Sequence, residues 1–415
     1  MSRIIIIGGG AAGLMAAVNA AEKGHKVVLL ERGPKLGRKV LISGGGRCNV
    51  TNNRHSSIRE FLANYPRGSK FLIGPFNKFG HQDLINWFEK RNLKLKTESD
   101  GRVFPFNNES SSVLNLLELE AKKYDVKIFL NTRVTSLEKS DDFFLVRLNN
   151  GNSLQAEKVI IACGGMSYSQ TGSSGDAYAW AKNLGHKIIR PKPSLTGLLI
   201  REQWVKDLKG LTIPRVELKL CQSSKTIVKE AGSLLFTHWG ISGPGVFKIT
   251  SLAAGTNYED FEYKLLINFF PQYTNIELQS VIRKHWSSNP KRKADNLLKG
   301  LIPQRLELMI ADKVFQNSSS KAAKKTVSEI NNKEFSHIIE LLTSLEIQIS
   351  GIRPSGEEIV TAGGVCLNEI NSQTMESKIV KGLYWTGEVM DIDGFTGGYN
   401  LQAAWTTGWI AGNSV

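Results

Sequence analysis

The sequence has few cysteines and no long apolar run. Its four cysteines (Cys48, Cys163, Cys221 and Cys366) lie far apart and form no Cys-x-x-Cys pair. A disulfide framework or a metal knuckle is therefore not expected, and we predict no metal site. The chain lacks a run of about 18 apolar residues, which argues against a membrane span, and the opening isoleucines are too few for a signal peptide. We expect a cytoplasmic protein.

The charge of the chain is strongly positive. Of its 415 residues, 53 are Lys or Arg and 38 are Asp or Glu, which gives a formal net charge of +15. Such a surface suits an anionic cofactor, a phosphorylated substrate, a membrane surface or nucleic acid. The basic residues are spread out, without a run of five or six, so a solvated basic surface is the simpler interpretation and nucleic acid is not the expected partner. The oligomeric state is left open.

The pattern of apolar residues predicts an α/β protein with an interrupted first domain. A strand, a helix and a second strand open the chain, and short connections of this kind imply a parallel sheet. Prolines near residue 192 mark a boundary, followed by strand-like sequence and then by a Lys/Arg-rich helical stretch. We predict a nucleotide-binding domain (1–192 plus 355–415), an inserted β domain (193–274 plus 346–354) and a helical subdomain (275–345).

The turn after the first strand carries a dinucleotide-binding fingerprint. Gly8, Gly10 and Gly13 fit the pattern G-x-G-x-x-G between a strand and a helix. The first glycine permits the tight turn, the second lets the backbone approach a pyrophosphate, and the third lets the helix pack on the strand. The helix N-terminus then offers N–H groups to phosphate. Glu31, at the end of the second strand, is placed to accept hydrogen bonds from ribose hydroxyls.

Two further segments favour FAD over NAD as the cofactor. The segment from Ser43 to Asn52 is rich in glycine and polar side chains, which suits a backbone that lines an extended cofactor. Near the C-terminus, Thr386-Gly387-Glu388 is followed by glycine turns and a helix of small residues. A helix N-terminus there would stabilise the negative charge of a reduced flavin.

Taken together, these motifs resemble the aminoacetone-oxidase-like family of FAD-binding oxidoreductases, which includes a bile-acid reductase. The resemblance rests on GGGAAGLMAA, LGRKVLISGGGRCNVTN, GRVFPFNNES, ACGGMSYSQTGSSGDAY, LLFTHWGISGP and GEVMDIDGFTGGYNLQ. It implies a Rossmann-like, three-layer FAD-binding domain of the glutathione-reductase type, with an inserted β-barrel that carries the helical subdomain.

The resemblance also implies a set of cofactor contacts. Val134 would meet the adenine through its backbone, and the turn from Ala162 to Gly165 would lie beside the pyrophosphate. The full expected set is Gly8, Gly10, Ala11, Ala12, Gly13, Glu31, Arg32, Gly37, Arg38, Ser43, Gly45, Thr51, Asn52, Val134, Ala162, Gly164, Gly165, Gly387, Glu388, Gly398, Tyr399, Asn400 and Leu401.

The residues near these motifs limit the reactions that the flavin could carry out. Cys48 has no second cysteine four residues away, so dithiol chemistry is rejected. A second dinucleotide fingerprint is also missing, so NAD(P)H would dock only transiently. His238 is a candidate acid or base, although a histidine held by backbone contacts fits as well; Tyr168, Tyr399 and Asn400 are weaker substrate-facing candidates.

Three classes of function remain open. The leading one is hydride transfer to or from flavin N5 with a small molecule, as an amine oxidase or a double-bond reductase. The alternative is an RNA-modifying or RNA-binding flavoprotein, supported by the net charge of +15. A flavin-binding regulatory protein without turnover is the third.

Overall fold

The structure is a computed structural model that describes residues 2–258, 263–315, 325–354 and 357–415. Its contacts divide the chain into two compact units. The first consists of Met1–Ser194 and Ser355–Val415, and the second of Leu195–Pro354. Both ends of the sequence thus belong to the same unit.

The first unit alternates strands and helices. Its elements are β1 (Arg3–Ile7), α1 (Ala11–Glu22), β2 (Lys26–Leu30), α2 (Arg38–Gly46), β3 (Thr51–Asn52), α3 (Ile58–Leu62), α4 (Ser69–Lys78), α5 (His81–Glu89), β4 (Leu95–Thr97), β5 (Arg102–Pro105), α6 (Ser110–Lys123), β6 (Lys127–Phe129), β7 (Val134–Lys139), β8 (Phe144–Leu148), β9 (Ser153–Ala156), β10 (Lys158–Ile161), α7 (Asp176–Asn183) and β11 (Ile188–Ser194).

The second unit starts with strands and continues with helices. Its elements are β12 (Leu198–Ile200), β13 (Thr212–Gln222), β14 (Lys225–Phe236), β15 (Gly240–Ser242), α8 (Pro244–Leu252), β16 (Tyr263–Asn268), α9 (Asn275–Ser287), α10 (Gln304–Val314), α11 (Asn332–Ser344) and β17 (Leu345–Ile352). The chain then returns to the first unit with β18 (Val360–Val365), β19 (Leu383–Trp385) and α12 (Tyr399–Ser414).

A parallel sheet forms the centre of the first unit. Its strand order is β19-β10-β1-β2-β6, and β1 pairs in parallel with both β10 and β2. The run of isoleucines in β1 is buried throughout, as expected for a parallel strand covered on both faces. Smaller antiparallel sheets, β3-β5-β4, β7-β8-β9 and β11-β18, surround it.

Helices α1 and α12 cross at very short distance. A Cβ on Gly408 would overlap the carbonyl oxygen of Ala12, and a Cβ on Gly412 would lie 2.5 Å from the carbonyl oxygen of Ala16. Only glycine at these positions lets the two backbones touch. The small residues of α1 and α12 therefore hold the first and last helices of the unit together.

In the second unit, six strands close into a barrel in the order β12-β15-β14-β13-β16-β17. Apolar side chains of the barrel strands and of α9, α10 and α11 form one hydrophobic core. Helix α8 begins at Pro244, where a fixed φ and a missing N–H are tolerated. In the described part of the chain, no helix is both long and apolar enough to cross a membrane.

This architecture confirms the predicted fold class, an α/β unit with an inserted β-barrel and helices. Some elements were not predicted. Helix α4 contains Pro75 in its interior, a residue that normally ends a helix. Strand β14 begins at Lys225, and its largely exposed first half gives no clear strand pattern in the sequence.

A buried histidine joins three segments of the first unit. His186 is 3% exposed. Its Nε2 accepts hydrogen bonds from Ser377 Oγ (2.9 Å) and Trp385 Nε1 (3.3 Å), while Nδ1 lies 3.1 Å from Glu369 Oε2. Burial lowers the pKa of His186 below its usual value of 6.5, and Glu369 opposes this shift only in part. The neutral ring is therefore the form that fits this site.

We expect His186 to make the protein less stable in acid. Because its folded pKa is lowered, its contribution to stability is complete above the ordinary value of 6.5 and is lost as the pH falls below it. Wild-type protein should lose more unfolding free energy between about pH 7.5 and about pH 5.5 than the His186→Gln variant. Urea unfolding at several pH values measures both, and equal losses would contradict the prediction.

Candidate functional site

The turn between β1 and α1 is packed too tightly for any side chain. Gly8 has a φ of +110°, and a Cβ there would lie 2.5 Å from the carbonyl oxygen of Ala162. A Cβ on Gly13 would overlap the carbonyl oxygen of Gly8. These two glycines bring the start of α1 against the end of β10, as the fingerprint predicts.

In contrast to this tight turn, the space at the N-terminus of α1 is open. Apart from chain neighbours, no described heavy atom lies within 4 Å of the position that a Cβ on Gly10 would take. No side chain of the described residues caps this helix start. The first N–H groups of α1, from Ala11 onwards, belong to this uncapped helix start, where an anionic group would be favoured. This geometry suits the pyrophosphate of a dinucleotide.

Glu31 is fixed beneath this turn by backbone contacts. Its Oε2 accepts a hydrogen bond from the N–H of Gly9 (2.8 Å), and its Oε1 accepts one from the N–H of Gly33 (2.6 Å). Each carboxylate oxygen can accept more than one hydrogen bond. Glu31 is thus oriented and still able to accept from ribose hydroxyls, which stays a prediction. Gly37 also joins the turn, since its N–H donates to the Gly9 carbonyl (2.8 Å).

The glycine segment at the C-terminal end of α2 forms a loop. The helical geometry of α2 ends at Ser43, and Gly44 and Gly45 are left-handed, with open space where a Cβ on Gly45 would point. Cys48 is fully buried here, and burial raises the pKa of its thiol to about 12. A thiol that stays protonated agrees with the rejection of dithiol chemistry.

Asn49 is a site residue that the sequence analysis did not single out. The residue is 8% exposed, and its Oδ1 is buried without a hydrogen-bond partner among the residues that the structure describes. A buried acceptor without a donor is costly. A ligand N–H or an ordered water would satisfy it, which fits a cofactor that runs along this loop.

The loop also contacts the start of α12. Gly398 has a φ of +98°, and a Cβ there would lie 2.5 Å from the carbonyl oxygen of Thr51. The Thr51 hydroxyl donates to Gln402 Oε1 (2.5 Å), and Asn52 Nδ2 donates to the Gly397 carbonyl (3.1 Å). Residues that are about 350 positions apart in sequence are therefore in direct contact.

The glycine turn of the N-terminal fingerprint and the C-terminal motif also meet. A Cβ on Gly387 would lie 3.1 Å from Ala12 Cβ, closer than an ordinary van der Waals contact. The N–H of Gly387 donates to Thr407 Oγ1 (2.9 Å), which fixes it against α12. Segments 8–13 and 387–401 thus lie side by side in one unit, the arrangement that a single cofactor bound by both requires.

Glu388 is held by an ion pair with Lys39, which the sequence analysis did not include. The Lys39 Nζ–Glu388 Oε2 distance is 2.9 Å, and Glu388 Oε1 accepts from Ser167 Oγ (2.6 Å) and from the N–H of Thr361 (2.8 Å). Burial by itself raises the pKa of Glu388, but Lys39 and these hydrogen bonds lower it below its ordinary value. The carboxylate is therefore charged and already engaged by protein donors.

The remaining predicted cofactor residues lie on other elements of the first unit. Arg32 pairs with Asp176 (3.2 Å), and Arg38 Nη2 donates to the Gln170 carbonyl (2.6 Å). Val134 begins β7, whereas Ala162, Gly164 and Gly165 follow β10, and Leu401 lies in the first turn of α12. Their contacts with FAD stay predictions.

Two of the predicted functional residues, Asn400 and His238, make other contacts or lie elsewhere in the fold. The side-chain amide of Asn400 accepts from the N–H of Gly394 (2.8 Å) and donates to its carbonyl (2.7 Å), so it closes the preceding turn. His238 lies in the second unit, exposed in the turn between β14 and β15. Its acid or base role stays a prediction. Contact of Tyr168, which has a left-handed φ of +50°, with the substrate also stays a prediction.

Comparison with known proteins identifies close relatives along the full length. The family profile described as "HI0933-like protein Rossmann domain" matches residues 2–414. The chain is 32% identical over 421 residues to the 3-dehydro-bile acid delta(4,6)-reductase of Clostridium scindens, covering 100% of this chain and 99% of that protein. It is 31% identical over 411 residues to the ribosomal RNA dihydrouridine synthase of Escherichia coli, with 99% and 97% covered.

A solved structure shares the fold at lower similarity. The 3-ketosteroid-delta4-(5alpha)-dehydrogenase from Rhodococcus jostii RHA1 superposes with a TM-score of 0.52 at 13% identity, covering 100% of this chain and 96% of that protein. At this identity the likeness supports the fold alone.

Proposed function

The chain belongs to the HI0933-like family of Rossmann-domain proteins and is a flavin-dependent oxidoreductase, and from this premise we propose that it reduces a carbon–carbon double bond conjugated to a carbonyl group. The supporting observation is that two relatives of 31–32% identity have names that describe different substrates but one reaction. The first name specifies a ketone at position 3 with double bonds at 4 and 6. The second describes conversion of uridine to dihydrouridine, the saturation of a C=C bond conjugated to the uracil carbonyl.

FAD is the cofactor that the site fits. The Gly8–Gly13 turn and the start of α1 would hold its pyrophosphate, and Glu31 its adenosine ribose. The loop that contains Asn49 and the start of α12 would line the flavin ring. Bound FAD supplies the hydride at N5. The N-terminus of α12 carries a partial positive charge that favours a reduced, negatively charged ring.

A small unsaturated ketone is the first substrate class, and a uracil base in ribosomal RNA is the second. The RNA candidate is favoured by the net charge of +15 and by the name of the Escherichia coli relative. Exposed basic side chains are available on and after α9, namely Arg283, Lys284, Lys291, Lys293 and Lys299. An amine oxidase, which the sequence also allowed, has less support because no amine is named in these two relatives.

The proposed reaction is tested by a single turnover without oxygen. We expect the chemically reduced, FAD-loaded protein to recover its yellow absorption when mixed anaerobically with a steroid 4,6-dien-3-one or with an unmodified ribosomal RNA transcript. Mass spectrometry should show a gain of two hydrogens in the substrate. If neither compound restored the oxidised flavin, and a small amine bleached the oxidised protein instead, the proposed reaction would be wrong.

The two substrate classes are distinguished by their response to salt. Binding of RNA through several phosphates should weaken steeply and linearly in log–log form as salt rises, because counterions are released. Turnover with an uncharged ketone should change little over the same range.

The expected transient electron donor is tested by mixing the oxidised protein with NADPH or NADH. We expect the flavin absorption to bleach.

A further inference from the structure

His55 and Tyr399 are two titratable side chains joined by a hydrogen bond. They lie where the segment of Thr51 and Asn52 meets the start of α12. The Tyr399 hydroxyl is 2.8 Å from His55 Nε2. Tyr399 is the first residue of α12 and follows Gly397 and Gly398, the glycines that contact Thr51 and Asn52. The pair therefore lies at the junction of the two segments that we assign to the flavin ring.

The direction of this hydrogen bond depends on the tautomer of His55. Asn64 Nδ2, which can only donate, lies 3.2 Å from His55 Nε2 and also donates to the carbonyls of Glu60 (3.1 Å) and Phe61 (3.2 Å). A His55 ring with its proton on Nδ1 leaves Nε2 as an acceptor, which suits both neighbouring donors. In this tautomer the Tyr399 hydroxyl donates to His55.

The position of Tyr399 is fixed on several sides. The Tyr65 hydroxyl donates to the Tyr399 carbonyl (2.6 Å), which holds the first turn of α12. The ring of Phe61 packs edge-on against Tyr399, at 5.1 Å between ring centroids, and stacks on His81. Tyr399 is 5% exposed, whereas His55 is half-buried. One member of the pair is enclosed and the other can exchange protons with solvent.

The proposed reaction needs such a group. Reduction of a conjugated C=C bond adds a hydride, with both electrons, at the carbon remote from the carbonyl. The adjacent carbon then becomes basic and must receive a proton from an acid that the protein supplies. Cys48, which is close in sequence, is the other group near this junction that could carry a proton, and its side chain is 0% exposed, against 5% for Tyr399.

We propose that Tyr399 donates this proton and that His55 restores it, an inference that rests on the proposed function. The Tyr399 O–H bond breaks as the new C–H bond forms, which leaves a phenolate. His55 takes a proton from water and passes it through Nε2 to the phenolate oxygen. The sum is one hydride and one proton added to the C=C bond, with water as the proton source.

The acidity of Tyr399 is compatible with this role. Burial, as the leading cause, raises the pKa of Tyr399 to about 12. The hydroxyl therefore keeps its proton at neutral pH, and the carbon that it protonates is a stronger base. A buried phenolate is unfavourable, so it is reprotonated readily.

The test compares Tyr399→Phe with a matched control. Tyr384→Phe removes the hydroxyl of another buried tyrosine, which donates to the Ser414 carbonyl (3.4 Å). Each FAD-loaded variant is reduced, and its anaerobic reoxidation by a steroid 4,6-dien-3-one and by a ribosomal RNA transcript is followed. We expect Tyr399→Phe to be slower by about a hundredfold or more and Tyr384→Phe to match the wild type. The first-order rate is read from bound flavin, so a lower FAD content does not affect it.

A second measurement does not depend on turnover. In protein labelled with nitrogen-15 at histidine, the Nε2 resonance of His55 should move toward that of a free, unprotonated ring nitrogen when Tyr399 is replaced by Phe. A wild-type rate in Tyr399→Phe, or a loss confined to Cys48→Ala, would overturn the assignment. If the wild-type protein were reoxidised by neither substrate, the proposed function itself would fall, and the assignment with it.

Discussion

Replacing Gly13 by Ala is expected to abolish tight FAD binding and to destabilise the first unit. The added Cβ would overlap the carbonyl oxygen of Gly8. Because this is a backbone atom in a tight turn, no side-chain rotation relieves the overlap, and α1 must move away from β1. Overpacking of this kind costs about 1–3 kcal/mol. We expect FAD affinity to fall by at least about a hundredfold, equivalent to about 2.7 kcal/mol.

Gly10→Ala is the matched control for this prediction. Gly10 has an ordinary φ of −86°, and a Cβ there meets no described atom within 4 Å apart from chain neighbours. The apoprotein should therefore keep its thermal unfolding midpoint, although the methyl group would occupy space assigned to the pyrophosphate. Quenching of FAD fluorescence on binding measures affinity for both variants. Wild-type affinity in Gly10→Ala would show that this space does not hold the cofactor.

The second large effect is expected at a buried ion pair. Arg67 binds both carboxylate oxygens of Asp393, whose side chain is 0% exposed. Ser194 Oγ also donates to Asp393 Oδ2 (2.9 Å). Arg67→Met would leave this carboxylate without its guanidinium, which costs about 3–5 kcal/mol when a buried pair is broken. Urea unfolding of the full chain should show a loss of that size.

Two further variants separate the ion pair from a general effect of losing an arginine. The double variant Arg67→Met/Asp393→Asn removes both charges and should recover much of the loss, because no buried charge remains. Arg102→Met removes the exposed ion pairs of Arg102 with Asp100 and Glu98, in which the arginine side chain is 40% exposed. It should change stability by less than about 1 kcal/mol. Equal losses in all three variants would contradict a specific role for Arg67.

Burial also affects the neighbouring Asp391. Its pKa is raised above the ordinary value by burial first and by Asp393, while Arg67 opposes the shift. Removal of Arg67 would therefore raise the pKa of Asp391 further. Together the two carboxylates explain why one arginine is expected to have a large effect here.

The fold class could be predicted because its signals are local. The strand β1, the turn at Gly8–Gly13 and the helix α1 are adjacent in sequence, and the apolar runs of β2 and β10 show their burial directly. The β8–β9 hairpin is also a local element, because its two antiparallel strands are joined by the short turn that contains Gly151. A strand with one polar face and a weak pattern, such as β14, gives little signal in the sequence.

The individual contacts of the site could not be predicted, because they join residues that are distant in sequence. Lys39 and Glu388 are 349 positions apart, and His55 and Tyr399 are 344 positions apart. No local pattern specifies such a pair. Lys39 lies in the motif LGRKVLISGGGRCNVTN, but only the fold shows with which carboxylate it forms an ion pair. The missing partner of Asn49 Oδ1 is likewise a property of packing.

The crossing of α1 and α12 has a consequence for biosynthesis. A ribosome-bound chain that has not yet produced residues 383–414 already contains β1, α1 and β10, but it lacks the edge strand β19 and the helix on which α1 rests. The residues of the barrel unit, in contrast, are all synthesised earlier, and domains tend to fold as they emerge. Flavin capture should thus wait until residues 383–414 have been made, and a first unit that still lacks them is the species that chaperones would have to protect.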